Sequence, residues 1–147
     1  MIRTSASVAL ILATAILCSA RQDGSLAELM AKADRASGGQ QADLCLEVSG
    51  RAVKLTIDSY KQEKMEDAHA SLDEVVTYAD KAHTAAIQSG KKIKHTEIKI
   101  REMVARLRDL KGEVMADEQP AIQAAIDKLE TFRTELLKSM FGSKSHD

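Results

Sequence analysis

The feature that most constrains this chain is the spacing of its apolar residues between positions 65 and 140. Met65, Ala68, Leu72, Val75, Ala79, Ala82 and Ala86 recur at alternating steps of three and four, which returns each side chain to one face of an α-helix. Ile100, Met103, Leu107, Leu110 and Val114 repeat the pattern, and Ile122, Ala125, Leu129, Phe132, Leu136 and Met140 carry it through a third segment. Such seams pack as in a coiled coil, because each helix must bury its stripe against the others. The alanines at 79, 82 and 86 allow a partner helix to come close.

Punctuation between the seams sets the helix limits. Gly90 can take the left-handed cap of the segment ending near Ser89, and Asp117-Glu118-Gln119-Pro120 suits the first turn of the last helix, which Gly142 ends. Thr96, with Glu97 behind it, reads as the N-cap of the segment that follows the basic connector 91–95. Upstream, residues 40–61 carry Leu46, Val53, Ile57 and Tyr60 on one stripe and Leu44, Val48 and Leu55 on the next, a face wide enough for more than one neighbour. Ser25-Leu26-Ala27-Glu28 has the form of a capping box and opens a short helix over 25–36, stopped by Ser37-Gly38-Gly39. The expected fold is all-α: an antiparallel up-down four-helix bundle with a short additional N-terminal helix. Segment 61–89 is rich in Asp and Glu and segment 91–114 in Lys and Arg, which favours these two as adjacent antiparallel helices.

Composition narrows the functions. One Pro, no Trp, two Tyr and two Phe are too few for a β protein, and too few aromatics to stack single-stranded bases. A formal charge of −1 gives no global field for a nucleic-acid backbone, so no nucleic-acid partner is expected.

The first twenty residues read as a secretory signal peptide. Arg3 supplies the positive end, Val8 to Leu17 the apolar run, and Cys18-Ser19-Ala20 the small residues at the cleavage positions. An apolar run of about ten residues is short of the roughly 20 that span a bilayer, so no transmembrane span is expected in the mature chain. Cleavage leaves a single domain over 21–142 and a polar tail over 143–147, exported through the inner membrane to the periplasm or beyond the cell. Lipid attachment at Cys18 is the alternative, although the bulky Ile16 and Leu17 before it suit lipoprotein processing poorly. Removing the first twenty of the 147 residues takes away Arg3 as their only charge and leaves Cys45 as the only cysteine, so no internal disulfide can form.

Leu55, Tyr60, Met65, Ala68, Leu72 and Val75 resemble part of a tetratricopeptide-repeat hairpin. The resemblance covers one hairpin, with Glu63 at the family's turn glycine and Asp80 at its later proline, and there is no second copy. A solenoid of such repeats needs about three to bury its faces, so the chain is not assigned to that family.

Few residues suggest chemistry. Glu66 with His69, and Asp80 with His83, have the three-residue spacing with which carboxylate-bridged metal bundles supply ligands. The two pairs lie about 21 Å apart along one helix and cannot share a centre. The remaining seams offer no inward carboxylate, so solvated ion-pairing residues are the expectation. His83 with a methionine such as Met30, Met65, Met103, Met115 or Met140 could in principle hold haem, but methionine on a seam is normally core. Cys45, between Leu44 and Leu46, reads as a small buried hydrophobe, with an intermolecular disulfide as the alternative. Lys91, Lys92 and Lys94, with His95 beside them, are a candidate anion contact. No phosphate loop or nucleophile motif is present, so no catalytic residue and no cofactor are assigned.

The expectation is an exported, non-catalytic binding or scaffold protein, with an unidentified protein partner, and a metal- or haem-binding periplasmic bundle as the alternative. Mass spectrometry of the exported protein should give an N-terminus at Arg21; a diacylglycerol-modified Cys18 would establish the lipoprotein instead.

Overall fold

The computed structural model describes the backbone of residues 16–142 and the side chains of residues 25–142. Five α-helices account for most of them, and no strand occurs among the described residues: α1 (Ile16–Arg35), α2 (Gly38–Lys61), α3 (Met65–Ser89), α4 (Ile93–Glu113) and α5 (Gln119–Phe141). No helix among the described residues is long and apolar enough to cross a membrane. Residues 1–15 of the expected leader and the tail 143–147 lie outside the described residues, as does the side chain of Cys18.

Positive φ angles mark where the chain turns. Gly38 (60°) opens α2 after the extended Ser37, and Gly90 (68°) caps α3 where the sequence placed a left-handed residue. Glu63 (57°) and Lys92 (65°) take the same conformation without being glycine. At Glu63 the chain leaves α2 with the Lys64 N–H donating to the Ser59 carbonyl at 2.9 Å and the Glu63 N–H to the Tyr60 carbonyl at 3.1 Å. This is the position where the tetratricopeptide hairpin carries glycine, and a side chain there crowds its own backbone.

Two expected caps are displaced. α1 continues through Ser25 and across the Ala20–Arg21 junction, so the Ser25 hydroxyl is not a helix start and instead accepts a hydrogen bond from Arg51 Nη1 at 3.3 Å. α4 begins at Ile93, because the left-handed Lys92 already turns the chain into the helix. Thr96 is therefore a full turn inside and buried, with its N–H donating to the Lys92 carbonyl at 2.8 Å.

The seams form one core. Ala68, Leu72, Val75, Ala79, Ala82 and Ala86 of α3 are buried, as are Ile100, Met103, Leu107 and Leu110 of α4 and Ile122, Ala125, Leu129 and Leu136 of α5. Met65, Val114 and Phe132 pack against this core while partly exposed. α2 buries Leu46, Val48, Val53 and Tyr60 but leaves Leu55 at the surface, so its apolar face is narrower than the sequence suggests. α1 adds Leu29 and Ala33.

Helix neighbours follow packing more than charge. α2 and α3 share the most extensive contact and α4 and α5 the next, while α3 and α4 touch least of all the contacting pairs. The opposite charge biases of 61–89 and 91–114 therefore do not make α3 and α4 principal neighbours, and no ion pair joins them among the described residues. The charges of α4 turn to α5, where Arg108 meets Glu130 and Glu97 meets Arg133, each at 2.8 Å. Exposed pairs contribute only about 0–1 kcal/mol, too little to override the burial of whole seams.

Contacts fix how residues align. Along α2 and α3 the order is opposite: Gly38 lies near Ser89, the Ser49 hydroxyl donates to the Val75 carbonyl, and Tyr60 stands by His69. Along α2 and α4 it is the same, with Asp43 near Lys92 and Ser49 near Met103. Along α3 and α5 it is again the same, with His69 by Glu118 and His83 by Glu135.

Ala79 and Ala82 are fully buried, whereas Ala70 is exposed. Ala82→Leu should overpack the seam and lower stability to urea by about 1–3 kcal/mol, while Ala70→Leu changes little. Equal and negligible effects at the two sites would show that the seam can absorb the added volume.

Candidate functional site: an apolar pocket beside a Tyr–Glu–His cluster

Three helix ends meet around Glu118. Tyr60 is at the end of α2, His69 is one turn into α3, and Glu118 stands immediately before α5. Glu118 Oε2 accepts from the Tyr60 hydroxyl at 3.0 Å and lies 2.6 Å from His69 Nε2, and the two rings meet edge to face at 6.3 Å. The hydrogen bond from His69 holds the Glu118 carboxyl below its ordinary range, with that from Tyr60 adding to it. Burial pushes the Tyr60 phenol up to about 12, and the hydrogen bond to Glu118 acts in the same direction.

Beside this cluster is a cavity of about 460 Å³, walled by Tyr60, Met65, Leu110, Val114 and Met115. Lys61, Glu63, Glu113 and Glu118 complete its lining. The size falls within the roughly 300–1,000 Å³ of small-molecule sites, and an apolar wall with a few polar groups is their usual chemistry. The pocket arises where the short 62–64 and 114–118 connectors leave the ends of two helix pairs incompletely covered. Met115 shows this directly, being 69% exposed despite its apolar side chain.

The residues singled out by spacing are redistributed. His69 meets Glu118 from outside α3 instead of Glu66, which is exposed. His83 is buried rather than solvated: its ring stacks on Phe132 at 5.0 Å, with Asp80 Oδ1 3.6 Å from Nδ1 and Glu135 Oε2 2.7 Å from Nε2. That close approach is out of hydrogen-bond alignment, so neither ring nitrogen has an aligned partner. Glu118 and Glu135 are the carboxylates from a second segment that the apolar seams did not reveal. Asp80 and Glu135 flank opposite nitrogens of His83 and do not converge on one point. No group of three or more His, Cys, Asp or Glu side chains is placed to hold a metal ion among the described residues. As for a haem ligand set, Met65 lies about 27 Å from His83 along α3, at the rise of an ideal helix.

Among the connector lysines, Lys92 pairs with Asp43 at 2.9 Å, so one of the three candidate anion contacts already meets a carboxylate. Lys91 and Lys94 are exposed, and His95 Nε2 is 3.8 Å from Asp43 Oδ1. Cys45 is buried with its thiol unbridged, and burial pushes it up to about 11. Beside it, Asp34 of α1 takes Lys81 Nζ at 2.7 Å and the Tyr78 hydroxyl at 3.3 Å, while that amine sits 4.4 Å from the Tyr78 ring centroid. This cluster had no signature in the sequence, because its members lie 44 and 47 positions apart. No family model, curated protein or solved structure was found to match the chain.

The titrations have a definite sign. Cys45 and Tyr60 are raised from 9.0 and 10.0 to about 11 and about 12, so the stability they contribute is complete below the lower values and lost as pH rises through the upper ones. Urea unfolding should therefore show wild type losing more stability than Tyr60→Phe between pH 10 and 12. Parallel pH curves for the two proteins would show that the phenol contributes nothing to this dependence.

Proposed function

We propose that this chain is an exported, non-catalytic binding protein that receives a small apolar-bodied ligand in the pocket beside Tyr60 and Glu118. The observation that carries this reading is the pocket itself, a cavity of about 460 Å³ with an apolar wall and charged residues completing its lining. Methionine suits such a wall, since its unbranched, polarisable side chain adapts to the shape of an occupant. The non-catalytic reading is supported by the state of Cys45, the one cysteine beyond the expected leader. A buried thiol held above its ordinary range is a poor nucleophile.

The scaffold is proposed to be an antiparallel up-down four-helix bundle of α2 to α5, with α1 added on the N-terminal side. Opposite residue order along α2 and α3, and along α4 and α5, supports this topology, as does the matching order along α2 and α4. α2, α3, α5 and α4 would then follow one another around the bundle, with α3 and α4 on a diagonal. Export rests on Arg3, the apolar run to Leu17 and the small residues through Ala20. Leu29 and Ala33 are the buried side chains among the described residues 25–35 of α1.

Titration with Nile red, a neutral apolar dye, tests the pocket. The dye should bind saturably, and Met115→Ser should weaken binding about fivefold by removing part of an apolar wall. Because Met115 is mostly exposed, the variant's melting temperature should stay close to that of wild type. No saturable binding, or equal binding by the variant, would overturn the reading.

A further inference from the structure

We propose that the ligand of this pocket is an amphipathic cation: one positively charged amine or ammonium head on a compact apolar body. This deepens the binding reading above and rests on it. The argument begins with charge. Three carboxylates, Glu63, Glu113 and Glu118, line the pocket with one amine, Lys61, and of the three only Glu118 is already faced by a basic group, His69 at 2.6 Å. Neither Glu63 nor Glu113 has an ion-pair partner among the described residues.

Glu118 is engaged on one oxygen only. Oε2 takes both Tyr60 and His69, and no hydrogen bond to Oε1 is formed within the described residues. The two donors orient this carboxylate, while its other oxygen remains for an incoming group. An ionised, oriented carboxylate at the edge of an apolar cavity favours a cation, because low-dielectric walls strengthen the field there. The same arrangement would repel an anion of equal apolar size.

The wall matches the other half of such a ligand. Tyr60 offers an aromatic ring in the same lining, and Met65 and Met115 offer thioethers, all suited to the alkyl groups that surround an ammonium. The cavity volume suits a small molecule, not a folded partner.

Calorimetric titration of the whole protein with three eight-carbon probes separates the components: octyltrimethylammonium, octyl sulfate and octanol. The cation should bind saturably at one site and at least about tenfold more tightly than the sulfate. A Glu63→Gln/Glu113→Gln double variant should bind the cation about fivefold more weakly and bind octanol as wild type does. If octanol binds at a site weakened by Met115→Ser but the cation binds no better than the sulfate, the charge class is wrong and the pocket reading stands. Cation binding unaffected by the double variant likewise rejects the charge class alone. If no probe binds, or if Met115→Ser leaves every probe unchanged, both readings fail.

Discussion

The rest of the structure depends on the close packing of α3. Its buried face is made largely of alanine, at 68, 79, 82, 85 and 86, with Leu72, Val75 and Tyr78 between them. Small side chains bring a neighbouring backbone near, which explains why α2 and α3 have the most extensive contact of any helix pair. Larger residues on the other helices then fill the space around this contact. Ile100 and Leu107 of α4, with Ile122, Leu129 and Leu136 of α5, are fully buried. The core therefore combines a tight alanine-lined layer with a layer of branched aliphatics, and a change in volume at the first must be absorbed by the second.

Most of the polar groups that enter this core have a partner, the buried Thr96 hydroxyl being an exception among the described residues. Ser49 is buried between three helices, donating to the Val75 carbonyl at 2.7 Å and approaching Met103 Sδ at 3.2 Å. Thr56 returns its hydroxyl to the Ala52 carbonyl at 2.8 Å. Glu97 is buried beneath Arg133, whose Nε and Nη2 both donate to Oε1, while Nη1 reaches Glu130 at 2.7 Å. A carboxylate removed from water needs such a partner, so this contact ties α4 to α5 by penalising any arrangement that separates them. His83 is less completely satisfied, stacked on Phe132 with carboxylates near both nitrogens but neither aligned.

The pocket and the core are two results of the same packing. Seams bury apolar residues along the helices, but at the ends the connectors are short and the last apolar side chains lack a covering layer. Where α2 passes to α3 and α4 to α5, those side chains include Tyr60, Met65, Val114 and Met115. The polar groups needed to turn the chain, Glu63 and Glu118 among them, are brought to the same place. The pocket is thus assembled from residues whose local role is to end and begin helices.

The sequence by itself determined the helical class, most helix limits and the inward faces of α3, α4 and α5, because all follow from spacing along a single helix. Gly90 and the Asp117–Pro120 stretch were legible for the same reason: capping is local chemistry. Even at this level two caps were misplaced, since Ser25 and Thr96 could not report that the preceding residues also enter a helix. Only the tertiary structure decided which helices are neighbours, that Glu118 reaches Tyr60 and His69, that Glu135 approaches His83, and that Asp34 joins Lys81. Those contacts link residues 47 to 58 positions apart. A charge bias cannot choose between them, because one exposed ion pair contributes far less than the burial of a seam. The candidate site was hidden for this reason: its residues have ordinary neighbours in the chain and become a pocket only when the α2–α3 and α4–α5 connectors are brought beside one another.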